Sequence, residues 1–129
     1  MTRVARRGER GSAVAEFVMV SALVVFLFMA VFQLGLVLHI RNTLISCASE
    51  GARLGARADA EPGMGATRAR ELITASLDDD YADDVTVGTG MVGGVQVVEV
   101  RVRAPFPVIG LLGPDGELDV TGRAFLERQ

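Results

Sequence analysis

A glutamate at the start of a long apolar run is the residue of this sequence that most needs a chemical explanation. Glu16 stands five residues after Gly11, in the stretch RGSAVAEFVM, just behind a small cluster of arginines. An unpaired carboxylate is costly to bury, so a charged group at this place needs a partner or a task. Three other features could carry chemistry: a single histidine, a single cysteine and a run of aspartates.

The remaining inventory argues against catalysis. All 13 basic residues are arginine, and the absence of lysine excludes a Walker-type phosphate loop and Schiff-base chemistry. Because His39 is the only histidine, neither a histidine-based metal cluster nor a histidine dyad can form within one chain. Cys47, the only cysteine, excludes an internal disulfide; we interpret it as a packing residue, with an intermolecular disulfide as the alternative. We therefore expect no enzymatic activity, no cofactor and no small-molecule substrate.

An acidic run offers the one alternative metal site. Five aspartates fall between residues 78 and 84, but they lack the alternating ligand spacing and terminal glutamate of an EF-hand loop. A solvated turn is therefore favoured over a calcium site. The net charge of the chain is −3, which also argues against a general nucleic-acid partner.

The strongest signal is the apolar segment of residues 17–38. It has 22 residues without a formal charge, and at about 1.5 Å per residue it would span roughly 33 Å, enough for a bilayer core of about 30 Å. A buried core helix and a cleavable secretory signal are the alternatives; the chain is too small to bury such a helix, and the run is too long for a signal. Residues 1–11 carry a net charge of +3 and the rest of the chain −6, which predicts a cytoplasmic N-terminus and an outer C-terminal region.

The region beyond the membrane is predicted to be a small α+β domain. Helical spacing of small and apolar residues continues the first helix from His39 to about Ala60, with Glu50, Arg53 and Arg57 on the other surface. EPGMG, residues 61–65, is interpreted as a break, followed by a second helix over about residues 66–77 with Thr67 as its N-cap. The predicted stripes are Leu44, Ile45, Ala48, Ala52, Gly55 and Ala56 in the first helix, and Ala69, Leu72, Ile73, Ser76 and Leu77 in the second.

Alternation with a period of two predicts three strands after the acidic run, over residues 84–88, 95–104 and 117–127. In the second strand Val98, Val100 and Val102 point one way, while Glu99, Arg101 and Arg103 point the other. GTGMVGG is predicted as a glycine-rich hairpin connection, and residues 106–116 as a loop with a tight turn at Pro114-Asp115-Gly116. We expect Leu118, Val120, Ala124 and Leu126 to share one face of the third strand and the two helices to cover the sheet.

Taken with the apolar run, the opening stretch resembles the type IV pilin class, and within it the TadE-like pseudopilins of tight-adherence (Flp-type) pilus systems. The resemblance is densest over residues 10–53, in RGSAVAEF, in Gly35 and in IRNTLISCASEGARLGAR. Farther on, PFPVIGLLG and the ending RAFLE agree in pattern. The sequence departs from the family at Ser21-Ala22, where relatives often have proline, and at Gln33, where they often have a second acidic residue.

The resemblance implies a processing step and a role for the glutamate. A membrane-embedded prepilin peptidase would cut between Gly11 and Ser12 on the cytoplasmic side, with Glu16 and Phe17 completing the recognised motif. Glu16 would then pair with the new amine of Ser12, in its own chain or in a neighbouring subunit, where the pair would fix axial register. An interfacial glutamate that simply marks the end of the anchor is the alternative.

These inferences predict a basic leader (1–11), a transmembrane and assembly helix (12–38) and an extracytoplasmic pilin-like α+β domain (39–129). The expected protein is a minor pilin-like subunit of a tight-adherence pilus or related envelope secretion machine, held in the bacterial cytoplasmic membrane by a single span. Its expected partners are the prepilin peptidase, other pilin or pseudopilin subunits and pilus platform proteins. An uncleaved, membrane-anchored binding or adhesin domain is the main alternative, and a membrane-tethered enzyme is the last.

Overall fold

The computed structural model describes residues 6–107 and 116–127. The elements are helix α1 (Arg6–Gly55), helix α2 (Pro62–Ser76), a short 3₁₀ helix (Asp79–Ala82) and strands β1 (Asp84–Val92), β2 (Val95–Pro105) and β3 (Glu117–Phe125). This is the predicted α+β layout of a long N-terminal helix, a second helix and a three-stranded antiparallel sheet. Two predicted segments lie partly outside the described residues: residues 1–5 of the leader, and residues 108–115 of the loop before β3. The second includes Pro114 and Asp115 of the predicted turn.

The chain divides into two compact units, Met1–Gly35 and Leu36–Gln129, and α1 contributes to both. From Phe17 to Gly35 the helix is apolar and almost wholly exposed. The most hydrophobic 18-residue window has a mean hydropathy of 2.6 and no buried residue. The alternative of a core helix buried within the chain is therefore wrong, and the helix is long and apolar enough to cross a membrane.

In the second unit the same helix packs against the sheet through small residues. Leu44, Ala48 and Ala52 are fully buried and Ala56 is nearly so, while Glu50, Arg53 and Arg57 stay exposed, as the helical spacing predicted. Ile40, Cys47, Gly51 and Gly55 are also buried, and Gly55 belongs to the predicted stripe. The helix ends at Gly55 rather than near Ala60.

The interpretation of EPGMG as a break was wrong beyond its first residue. Pro62 occupies the first turn of α2, where its missing N–H costs no helical hydrogen bond, and Glu61 is the N-cap. Thr67 is not the cap; its hydroxyl donates to the Gly63 carbonyl within the helix at 3.4 Å. Ser76 is exposed, contrary to its predicted inward position, whereas Ala69 and Ile73 are buried.

Gly65 lies inside α2 because the two helices approach closely there. A Cβ placed on Gly51 of α1 would collide with the Gly65 carbonyl, and one on Gly65 would lie 2.7 Å from the Gly51 carbonyl. Only residues without side chains allow the two backbones this contact. The turn before α2 therefore brings the backbones of α1 and α2 into contact, and does not simply end α1.

The sheet has the order β1-β2-β3 with antiparallel pairing throughout. Val98, Val100 and Val102 are fully buried beneath the helices, and Leu118 and Val120 are buried beside them, as predicted; Ala124 and Leu126 are half-buried. The hairpin is tighter than expected: the strands run on to Val92 and from Val95, leaving a two-residue turn. Gly93 and Gly94 have φ of 57° and 80°, and positive φ at both positions is what a type I′ turn requires.

Salt bridges cover the outer face of the sheet. The Arg101 Nε donates to Asp119 Oδ1 at 2.7 Å, and its second nitrogen contacts Asp119 Oδ2. Arg123 Nε donates to Glu99 Oε1 at 2.5 Å. The hydrogen bond from Arg101 and its positive charge hold the pKa of Asp119 below its ordinary value. This face is therefore solvated and charged, as the outward positions of Glu99, Arg101 and Arg103 predicted.

Candidate assembly and processing site

The predicted site residues all lie in the first part of α1. Gly11, Ser12, Glu16 and Phe17 are helical and exposed, and Phe17 retains 72% of its accessible surface. A Cβ on Gly11 would meet no atom within 4 Å, so no packing contact within the chain requires a glycine there. The reason for this glycine must therefore lie outside the packing of the described residues.

Ser12 and Glu16 lie one helical turn apart on the same side of α1. Four residues correspond to about 6 Å along the axis, the spacing at which side chains of a helix meet. In the uncut chain the Ser12 nitrogen is a neutral peptide N–H, so it offers no charge to the glutamate. Within the part of the chain that the structure describes, no ion pair involves Glu16.

Glycine makes the helix easiest to open at the predicted scissile bond. A protease requires an extended backbone, and glycine in a helix interior is about 1 kcal/mol less stable than alanine. Local unwinding at Gly11 would therefore cost less than at the alanines and valines that follow. After cleavage Ser12 would carry a positive amine, and Glu16 would lie in the first turn of the new helix, where the helix dipole favours a negative charge.

The apolar surface beyond Glu16 extends around the helix. Large exposed side chains lie on every side of it, and they include Leu23 (69%), Phe26 (69%) and Phe28 (76%). A shallow groove of about 350 Å³, without polar surface, crosses this part of the helix over Ser21, Ala22, Val25, Phe26 and Met29. Small residues beside large ones form the kind of surface on which apolar helices pack. Of the residues that line this groove, Ser21 and Ala22 were singled out from the sequence, as a departure from the family pattern; Val25, Phe26 and Met29 were not.

The other candidate residues from the sequence are not brought together with this site. His39 is exposed, and Cys47 is a free, buried thiol whose pKa is raised by burial, which matches its interpretation as a packing residue. The acidic run forms the 3₁₀ turn, where Asp78 caps the Asp79 N–H at 2.9 Å. Burial, together with the charges of Asp78 and Asp80, raises the pKa of Tyr81. Within residues 6–107 and 116–127, no group of three or more His, Cys, Asp or Glu side chains is placed to hold a metal ion.

Comparison with known proteins points to the same segment. No curated protein and no solved structure gives a match. Residues 11–53 match the family model described as TadE-like protein, which begins at Gly11 and ends within the buried part of α1. The resemblance stated from RGSAVAEF and from the residues around Cys47 is thereby confirmed over residues 11–53, a third of the chain.

Proposed function

We propose that this chain is a minor pilin-like structural subunit, and not an enzyme, of a tight-adherence pilus or a related envelope secretion machine. The observation that carries the proposal is the helix that follows Gly11: it is exposed and apolar on all sides, with a single carboxylate in its first turns. Exposed apolar surface of this extent needs a bilayer or other helices around it. The family match over residues 11–53 covers the same segment.

In this proposal the uncut protein spans the cytoplasmic membrane once, with its N-terminus inside. The arginines of residues 1–11 hold the leader in the cytoplasm, because positive charge is retained on that side. A reporter fused after Gln129 should therefore be active outside the cytoplasm, and cytoplasmic activity would contradict this topology.

A prepilin peptidase then hydrolyses the bond between Gly11 and Ser12. Water supplies the hydroxyl for the new Gly11 carboxylate, and Ser12 leaves as an amine that takes up a proton. Loss of the leader removes its net charge of +3 and places a single positive charge beside Glu16. The mature helix can then leave the bilayer for a bundle of apolar helices, where Glu16 pairs with the amine of a neighbouring subunit. Such a pair forms because either charge alone would cost several kcal/mol in a low-dielectric bundle.

The test uses two glycine-to-valine variants of the leader. Gly11→Val should accumulate as the full-length precursor in cells that contain the peptidase, because valine cannot fit where a bare backbone is required. Gly8→Val, three residues earlier, is the matched control and should still be cut, leaving Ser12 as the N-terminus. N-terminal sequencing of both variants and of the wild type reads the result directly.

One outcome would favour the uncleaved anchored domain instead. If the wild type and the Gly11→Val variant both keep Met1 or Thr2 as their N-terminus, processing at this site does not occur.

A further inference from the structure

The second unit contains an open cleft that has no role in the proposed function. It has a volume of about 560 Å³ and lies between the last turn of α1 and the end of β3. Three arginines line it: Arg53 from α1, Arg57 from the turn that follows α1, and Arg123 from β3, together with Glu50 and Glu127. Phe125, which is 63% exposed, forms part of the same wall. We call this the arginine cleft.

The arginines of the cleft are only weakly engaged within the chain. Arg53 lies 3.9 Å from Glu50 and Arg57 3.4 Å from Asp59, and all four side chains are more than half exposed. Arg123 makes a closer bond to Glu99, but 59% of its side-chain surface is still accessible. Exposed pairs of this kind contribute little stability, so the guanidinium groups can be recruited by another carboxylate.

The second unit also carries a surface of opposite charge, the acidic turn of residues 78–84. Its five aspartates are Asp78, Asp79, Asp80, Asp83 and Asp84. All five are exposed, and within the described ranges none of them forms an ion pair. The nearby Arg70 donates instead to the Val85 carbonyl at 2.6 Å, and Arg103 faces Asp84 across the sheet.

The two surfaces lie at opposite ends of the sheet. Asp84 pairs with Arg103 at one end of β2, whereas Phe125 pairs with Val97 at the other. Six residues of strand separate these positions, a distance of about 20 Å. One domain therefore cannot place its own acidic turn in its own cleft. Complementary patches on different surfaces of one subunit make a head-to-tail contact, which continues from copy to copy.

We propose that the arginine cleft is a docking site for the acidic turn of a second copy of this chain. Charge complementarity selects the occupant, and the exposed ring of Phe125 adds apolar contact at the rim. The inference deepens the proposed function and rests on it, because it assumes that the chain is an assembling subunit. It assigns to the outer domain a contact of its own, separate from the packing of the apolar helices.

The test is cross-linking between two copies of the full-length protein in membranes. Cys47→Ala removes the native thiol; Glu127→Cys then marks the cleft of one copy and Asp83→Cys the acidic turn of the other. A short thiol-reactive cross-linker should join the two copies. Arg53→Glu with Arg57→Glu in the cleft copy should lower the yield about tenfold, the factor that corresponds to 1.4 kcal/mol.

Reversing the charge of the acidic turn as well should restore the contact. Asp79→Arg with Asp80→Arg in the turn copy should recover the cross-link to the acidic cleft, because the charges are then complementary again. Arg41→Glu with Arg68→Glu makes the same change in net charge outside the cleft and should leave the wild-type yield unchanged.

Three results would overturn the inference: no cross-link between cleft and turn, a yield that the cleft reversal does not change, or cross-links only between two clefts. The N-terminus of the same samples is sequenced in parallel. Failed cross-linking in a protein cut after Gly11 would reject the head-to-tail contact alone, whereas an intact Met1 or Thr2 would reject the proposed function.

Discussion

The two parts of helix α1 are the most informative comparison within this molecule. Before Gly35 the helix presents large apolar side chains such as Phe17 and Phe28 to its surroundings, and no residue of its most hydrophobic 18-residue window is buried. After Leu36 the same helix buries small residues such as Ala48 and Ala52 against a sheet. The two parts of one helix thus have different needs. The first part exposes apolar surface that lipid or other helices can cover, whereas the second part is packed closely within the chain.

The difference follows from side-chain size. A Cβ on Gly122 of β3 would overlap the backbone of Ala48 and Ser49, so α1 lies directly on the strand. Large side chains would hold helix and strand apart, as they do in an ordinary helix–sheet layer. In the first unit bulk is an advantage, because each large side chain adds apolar surface that a bilayer or a bundle can cover.

The largest effect on the packed part is expected from Gly122→Val. The added side chain would displace α1 from β3, at a cost of roughly 3 kcal/mol or more. Thermal unfolding of the full-length protein in detergent, followed by protease resistance of the outer domain, measures the loss. Gly88→Val is the matched control, since Gly88 is an exposed strand position with no atom within 4 Å of the added Cβ. Equal stability of the two variants would show that the close contact does not exist.

An intermediate effect is expected from shortening the packed part. A fragment of residues 36–129 should fold on its own with a cooperative melt, because it contains the whole buried cluster. A fragment of residues 41–129 lacks Ile40, which is only 4% exposed, and should be about 2 kcal/mol less stable. Circular dichroism melts of both fragments provide the comparison. Random-coil spectra for both would mean that the domain core is completed only by partners.

The smallest effect is expected from Asp119→Asn on the charged face of the sheet. Because Arg101 lowers the pKa of Asp119, the ionised pair stabilises the fold at neutral pH, and this contribution is lost as the pH falls through that lowered value. The melting temperature of the variant should therefore lie slightly below that of the wild type at neutral pH, and the difference should shrink as the pH falls through that lowered value. Asp59→Asn, in the longer pair with Arg57, is the control and should change less over the same range of pH. A difference that persists unchanged in acid would argue against the pair.

Much of the packed unit could be predicted from the sequence, and the parts that could not share a physical reason. Period-two alternation predicted the buried valines of β2, and helical spacing predicted the buried alanines of α1. The prediction of a break at residues 61–65 was wrong because glycines are typical of turns. Gly63 and Gly65 lie in α2 instead, where Gly65 contacts the backbone of Gly51. A contact between distant backbones leaves no local pattern. The arginine cleft was missed for the same reason, since Arg123 lies far along the chain from Arg53 and Arg57.

At the candidate processing site the situation is reversed. Gly11, Ser12, Glu16 and Phe17 were identified from their spacing and from the family resemblance. All four are exposed on α1, and this exposure shows no partner for them among the described residues. Their meaning lies in what surrounds the first part of α1, a peptidase, a bilayer or other subunits. Sequence pattern is informative there because, in the proposed function, another protein recognises the motif locally.

The pairing of Glu16 with a neighbouring subunit's amine is the central claim, and Glu16→Val tests it most directly. The variant should insert in the membrane and be cut after Gly11 as the wild type is, because valine suits the apolar helix. It should lose co-purification with its partner pilins, since the Ser12 amine would have no carboxylate to meet. Ala15→Val, one residue earlier and uncharged in both forms, should keep it. A Glu16→Val protein that is processed and assembles at the wild-type level would contradict the charge-pairing role.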